Sequence, residues 1–152
     1  MYISHMRSEG NRLLEAVEEL IGISRAAGLP AEIYHLKQGG EQNWDKLDQV
    51  IEMVEAARAE GLRITADMYN YIAGSTGLDA AMPPWVQEGG YDAWAERLRD
   101  PSVRARVAAE MVAQQDDWEN LMQGATPEGS LLVEFRNPNL RGYIGRTLAD
   151  VA

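Results

Sequence analysis

Residues 31–37 read AEIYHLK: a short apolar run that ends on a histidine, with a lysine two positions beyond it. Residues 1–7, MYISHMR, repeat the setting, with Arg7 two positions after the histidine. These histidines, His5 and His35, are the only two in the 152-residue chain. Both runs read as short strands, and LRITADMY over residues 62–69 reads as a third. Between the first two, NRLLEAVEELIGISRAAG carries Leu13, Leu14, Val17, Leu20 and Ile21 at helical spacing, with Gly28 and Pro30 as stops. Between the second and third, WDKLDQVIEMVEAARAEG carries Leu47, Val50, Ile51 and Val54, with Asn43 as the expected cap and Gly61 as the end.

Strand, helix, strand, helix, strand within about seventy residues is the pattern of right-handed parallel crossovers. It suits a doubly wound sheet or a (β/α)8 TIM barrel. Units of this length without a glycine-rich phosphate loop lean toward the barrel. Residues 1–75 are therefore expected to form a βαβαβ barrel segment. Residues 76–130 are expected to be a loop and a mostly helical insertion. Within it, YDAWAERLRD is a helix candidate, Asp100 and Pro101 cap and open PSVRARVAAEMVAQ, and DDWENLMQG makes a short helical turn. Residues 131–152 are expected to hold a late strand, SLLVEF, and the start of a helix, GRTLADVA. Three or four parallel strands cannot close a barrel, which takes about eight. The expectation is an excised part of a larger protein, with an open sheet as the alternative.

Composition narrows the functions. The formal charge of −10 disfavours sequence-independent binding to nucleic acid and to acidic membrane surfaces. No apolar run is long enough to span a bilayer, and no secretory signal is visible, so a cytoplasmic setting is expected. The chain has no cysteine, which removes disulfides and thiolate ligands. The four tryptophans read as packing residues, and the acidic run QQDDWEN as a solvated helix start.

A single histidine near a strand is ordinarily a hydrogen-bonded structural residue. Two at the carboxyl ends of adjacent parallel strands differ, because that end of a barrel carries the active site. Side by side, the imidazoles of His5 and His35 suit one metal ion. Zinc takes three or four ligands, so the pair is incomplete. Asp67, at the end of the third strand, is a possible further ligand; a carboxylate capping the next loop is the alternative. Lys37, Tyr69 and Ser75 form a second group: an ammonium, a phenol and a hydroxyl that together can hold a carboxylate. A solvated lysine beside ordinary loop residues is the plainer alternative.

At these residues the chain resembles a known family. YISHMRSEG with LLEAVEELI, then AGLPAEIYHLK, NWDKLDQVIEMVEAARAEG and ITADMYNYIAGSTGL, are similar to the N-acyl-D-amino-acid deacylases. These form the D-aminoacylase branch of the metal-dependent amidohydrolases. The likeness is read through most of the chain, DPSVRARVAAEM and GRTLADVA included. It implies barrel strands four to six of a larger protein, with His5 and His35 as zinc ligands. Lys37, Tyr69 and Ser75 then match positions associated with the substrate carboxylate, so that one hand of the amino acid presents its amide to the metal. An early histidine pair and a cysteine ligand would precede Met1, and the catalytic aspartate would follow Ala152. Proline is the commoner family residue at Asn70, and serine is frequent at Tyr34; both changes touch the pocket rather than the ligands.

The activity so implied is zinc-dependent hydrolysis of the amide of N-acyl-D-amino acids, with this chain alone expected to be inactive. One competing expectation is a non-enzymatic α/β module that self-associates through unclosed edges. The other is a complete small metalloenzyme built on His5, His35 and Asp67.

Overall fold

The computed structural model describes residues 1–113 and 118–152. They form two compact units, Met1–Ser75 and Thr76–Ala152.

The first unit is α/β. Strands β1 (Tyr2–Ser4), β2 (Ala31–Ile33) and β3 (Ile64–Ala66) alternate with helices α1 (Leu13–Ala27) and α2 (Leu47–Ala59). The sheet order is β1-β2-β3, all parallel, with Tyr2 opposite Ala31 and Ala31 opposite Ile64. Alternation along the strands sends Ala31, Ile33 and Ile64 into the core, where all three are buried. The apolar stripe of α1 supplies Leu13, Val17, Leu20 and Ile21, and α2 supplies Val50 and Val54, to the same cluster. The helices also pack on each other. The opposite sheet face, Ile3–Glu32–Thr65 in register, has Ile3 exposed and is tied by a 2.8 Å bond from Thr65 Oγ1 to Glu32.

Gly28 ends α1 in a left-handed conformation at φ 62°, and its N–H returns to the Ser24 carbonyl. Asn43 does not cap α2. It is buried inside a 3-10 segment, Glu41–Lys46, and Lys46 precedes the helix. Its amide donates to the Gly39 carbonyl and to Asn11 Oδ1, while its oxygen accepts from Lys46 Nζ. The side chain is consumed joining the two loops, so no atom remains for a cap.

The second unit is built from short helices: α3 (Pro84–Gln87), α4 (Tyr91–Arg97), α5 (Pro101–Val112) and α6 (Leu121–Gly129). Asp100 caps α5 through the Ser102 N–H, with Pro101 in the first turn, as the sequence predicts. The loop expected at the start of the insertion contains a 3-10 turn at Leu78–Ala81 and α3. The late strand expected over SLLVEF is a single antiparallel bridge, Leu131 with Thr147. Backbone hydrogen bonds join residues 130–132 to 145–148 around that bridge, but Leu131 and Val133 are exposed, so among the described residues the apolar pattern finds no core to bury it. GRTLADVA forms turns, with Asp150 and Thr147 bonded to each other's backbone N–H, rather than a helix. Asp116, Asp117 and most of the acidic run lie outside the described residues. Among the described residues, no helix is long and apolar enough to cross a membrane.

Candidate metal centre

His5 follows β1 directly and His35 stands two residues beyond β2, so the parallel pairing brings the rings together. His5 Nδ1 lies 3.3 Å from His35 Nε2, with ring centroids 4.9 Å apart. The chain turns sharply here. β2 stops at Ile33, and His35 adopts a left-handed backbone at φ 42°, uncommon for a residue with a side chain. Asp67 holds that turn: its Oδ1 accepts the His35 N–H at 2.7 Å, and its carbonyl accepts the Leu36 N–H at 2.9 Å. Asp67 thus fixes a backbone and is not grouped with the imidazoles.

The carboxylate beside the imidazoles is Glu9, which is 5% exposed. Its Oε1 lies 3.4 Å from His5 Nδ1 and 3.0 Å from His35 Nδ1. Its Oε2 lies 2.6 Å from Lys37 Nζ. Gly39 packs against the same residue, its N–H donating to the Glu9 carbonyl at 2.7 Å; a Cβ there would come to 3.3 Å from that oxygen. Sequence reasoning passed over Glu9. The available signal was its spacing four residues after His5 within SHMRSEG.

The two basic residues with matching spacing do different work. Arg7 makes a paired contact with Glu19 on α1, at 2.9 and 2.7 Å, pinning the segment after β1 to the helix. The guanidinium hydrogen bonds hold the Glu19 carboxyl below its ordinary range, and Glu19 raises Arg7 in return. Lys37 instead turns inward. Its ammonium reaches Glu9, His35 Nδ1 at 2.7 Å and the His35 carbonyl at 3.0 Å. Because the strand has already ended, these contacts and not strand alternation set its direction.

Tyr69 lies on the Lys37 side, with Lys37 Nζ 5.8 Å from its ring centroid, and stacks on Tyr71 at 4.9 Å. Its hydroxyl approaches Gly74. Ser75 is exposed. The Tyr34 ring sits 4.3 Å from that of His35. Of the tryptophans, Trp44 is exposed rather than packed, whereas Trp85 donates to Glu110 and lies 3.9 Å under Arg106.

One donor atom each from His5, Glu9 and His35 lies within 4.8 Å of the others. Two imidazole nitrogens and a carboxylate oxygen are a donor set that suits zinc and neighbouring divalent ions. The class so defined is an α/β chain with a candidate metal centre at the carboxyl ends of parallel strands.

Its similarity lies with the N-acyl-D-amino-acid deacylases. The chain is 37% identical over 78 residues to the D-aminoacylase of Alcaligenes xylosoxydans xylosoxydans, covering 51% of this chain and 16% of that protein. It is 32% identical over 76 residues to the N-acyl-D-glutamate deacylase of the same organism, covering 50% of this chain and 16% of the relative. Among solved structures it matches the N-acyl-D-glutamate deacylase of Bordetella bronchiseptica, complexed with zinc and a phosphonate mimic of the tetrahedral intermediate. There the identity is 31% and the TM-score 0.46, over 47% of this chain and 15% of that one. The likeness covers about half of the chain, less than the motifs alone suggest, and the chain spans 16% of the length of the curated relatives it matches. No protein-family model matches it.

Proposed function

We propose that residues 1–75 form part of the active site of a zinc-dependent hydrolase of N-acyl-D-amino acids. In this reading the three strands are strands four to six of a (β/α)8 barrel, and His5 and His35 hold the metal. Lys37, with Tyr69 and Ser75, receives the α-carboxylate of the substrate. The observation that carries the reading is the 3.3 Å approach of His5 Nδ1 to His35 Nε2 at the ends of adjacent parallel strands. The barrel reading draws support from both helices packing into one core while the Ile3–Glu32–Thr65 face stays uncovered, as the inner face of a barrel segment would be.

When bound, zinc supplies Lewis acidity and a more acidic water. The chain's own residues bind and orient. Asp67 fixes the His35 backbone, Glu9 and Lys37 fix its ring, and Lys37 holds an ammonium directly beside the His35 imidazole, where it can meet an anionic group. The general base that the family resemblance implies is not among residues 1–152, so the isolated chain is proposed to bind metal without turning over substrate.

Two measurements on the full chain test this. Zinc binding by calorimetry should show one site, lost in His5→Ala and in His35→Ala. Hydrolysis of N-acetyl-D-amino acids with zinc added should stay at background. Binding that ignores both substitutions would defeat the metal site; robust turnover would defeat the inactive-chain reading.

A second reading rests on the uncovered sheet face, where Ile3 is 55% exposed. There the chain is a non-enzymatic module that self-associates through that face. A defined oligomer by light scattering, dissociated by Ile3→Lys, would favour it.

A further inference from the structure

We infer that Glu9 is the third ligand of the His5–His35 site, donating Oε1 to the cation while Oε2 stays with Lys37. This rests on the reading of the two histidines as metal ligands and adds to it a donor from this chain's own residues.

Geometry carries the inference. A tetrahedral zinc with bonds near 2.0–2.1 Å sets its ligand atoms about 3.3–3.4 Å apart. His5 Nδ1 and His35 Nε2 are 3.3 Å apart, and His5 Nδ1 and Glu9 Oε1 are 3.4 Å apart. Two edges of the ligand triangle therefore already have the length that one shared ion requires, and on the third side Oε1 meets His35 at its other ring nitrogen, Nδ1, at 3.0 Å. Elements distant in sequence hold the carboxylate there: the Gly39 N–H fixes its backbone and the Lys37 ammonium its far oxygen. Carboxylates that ligate metals are ordinarily oriented by such a partner on the other oxygen. Glu9 is 5% exposed, and a carboxylate removed from water needs cationic neighbours. Lys37 is such a neighbour, and a divalent ion between Glu9 and the imidazoles would add to it.

The alternative role for Glu9 is purely structural, as the partner of Lys37. The experiment separates the two with zinc alone as the probe and cobalt(II) as the spectroscopic reporter. Zinc affinity is measured by calorimetry for the full chain, Glu9→Gln, Glu9→His and Lys37→Met, each checked for native helix content by circular dichroism. Glu9→Gln should weaken zinc by about 10–100-fold or more, a loss at least as large as that for supporting residues of metal sites. It should also change the visible cobalt(II) spectrum. Glu9→His replaces one donor with another and should recover a large part of the affinity. Lys37→Met breaks the same ion pair without removing a donor and should weaken zinc clearly less than Glu9→Gln does.

Equal losses in Glu9→Gln and Lys37→Met would make Glu9 structural and overturn the inference. So would Glu9→Gln binding zinc like the parent, while the histidine variants still lose it; that result would leave the two-histidine site standing. Zinc binding indifferent to His5 and His35 would instead remove the reading on which the inference rests.

Discussion

Residues 1–75 and 76–152 are close to equal in length but use their apolar residues differently. The first unit gathers buried side chains from two strands' worth of alternation and two helical stripes into one cluster centred on Leu13, Val17, Ile33, Val50 and Ile64. The second buries Ala81, Val86 and Val107, while Leu131, Val133 and Val112 stay exposed. A continuous core fixes where strands end, and strand ends are where His5, His35 and Lys37 meet. The second unit relies on local devices, such as the Asp100 cap and the Trp85–Glu110–Arg106 contact. Such devices hold single elements in place; a shared core positions groups from several elements against one another.

The sharpest way to break this contrast is to open a cavity in each unit. Leu13→Ala, at a fully buried helix position, should cost about 2–5 kcal/mol in urea denaturation. Val107→Ala should cost about 1–2 kcal/mol. Equal losses would mean that the second unit has a comparable core.

A smaller effect should come from Asp67→Ala. It removes the acceptor of the His35 N–H and should cost about 1 kcal/mol. Because His35 sits at a positive φ, the released turn should also lower zinc affinity more than it lowers stability. An unchanged zinc affinity would show that the His35 ring is held by Glu9 and Lys37 alone.

Acid should separate the units most gently. Hydrogen bonds hold four carboxyls below their ordinary range: Glu19 by Arg7, Asp100 by Ser102, Glu110 by Trp85 and Arg106, and Asp150 by Thr147. A lowered folded-state value gives stability that is present above the ordinary carboxylate range and lost as pH falls through the lowered value. Three of the four lie in the second unit, so amide protection factors, which correct for the intrinsic slowing of exchange in acid, should fall there first on acidification. Trp85→Phe removes the indole donor to Glu110 and should flatten part of that response.

How far the sequence could be read follows the same division. The strands and helices of residues 1–66 were legible because alternation and the 3.6-residue stripe are both imposed by one core. His5, His35 and their approach followed from parallel pairing. Glu9 was faintly legible, through its spacing four residues after His5, but that spacing does not tell that its side chain closes over both imidazoles while Asp67 turns to a backbone. Asn43 misled for a similar reason: capping residues look alike in sequence whether they serve a helix end or a loop junction. SLLVEF has strand composition, but pairing depends on a neighbour, and among the described residues its pairing stops at the Leu131–Thr147 bridge and the backbone hydrogen bonds beside it. Lys37 and Arg7 share a spacing, yet one is drawn to a buried carboxylate and the other to α1.

The proposed convergence of His5 and His35 on one cation is open to a direct measurement, because the chain has only these two histidines. In a chain labelled with 15N in histidine alone, titration with zinc should move the imidazole nitrogens of both rings together. The change should be complete at one equivalent. Signals that move for one ring only, or that follow two independent saturation curves, would contradict a shared ion.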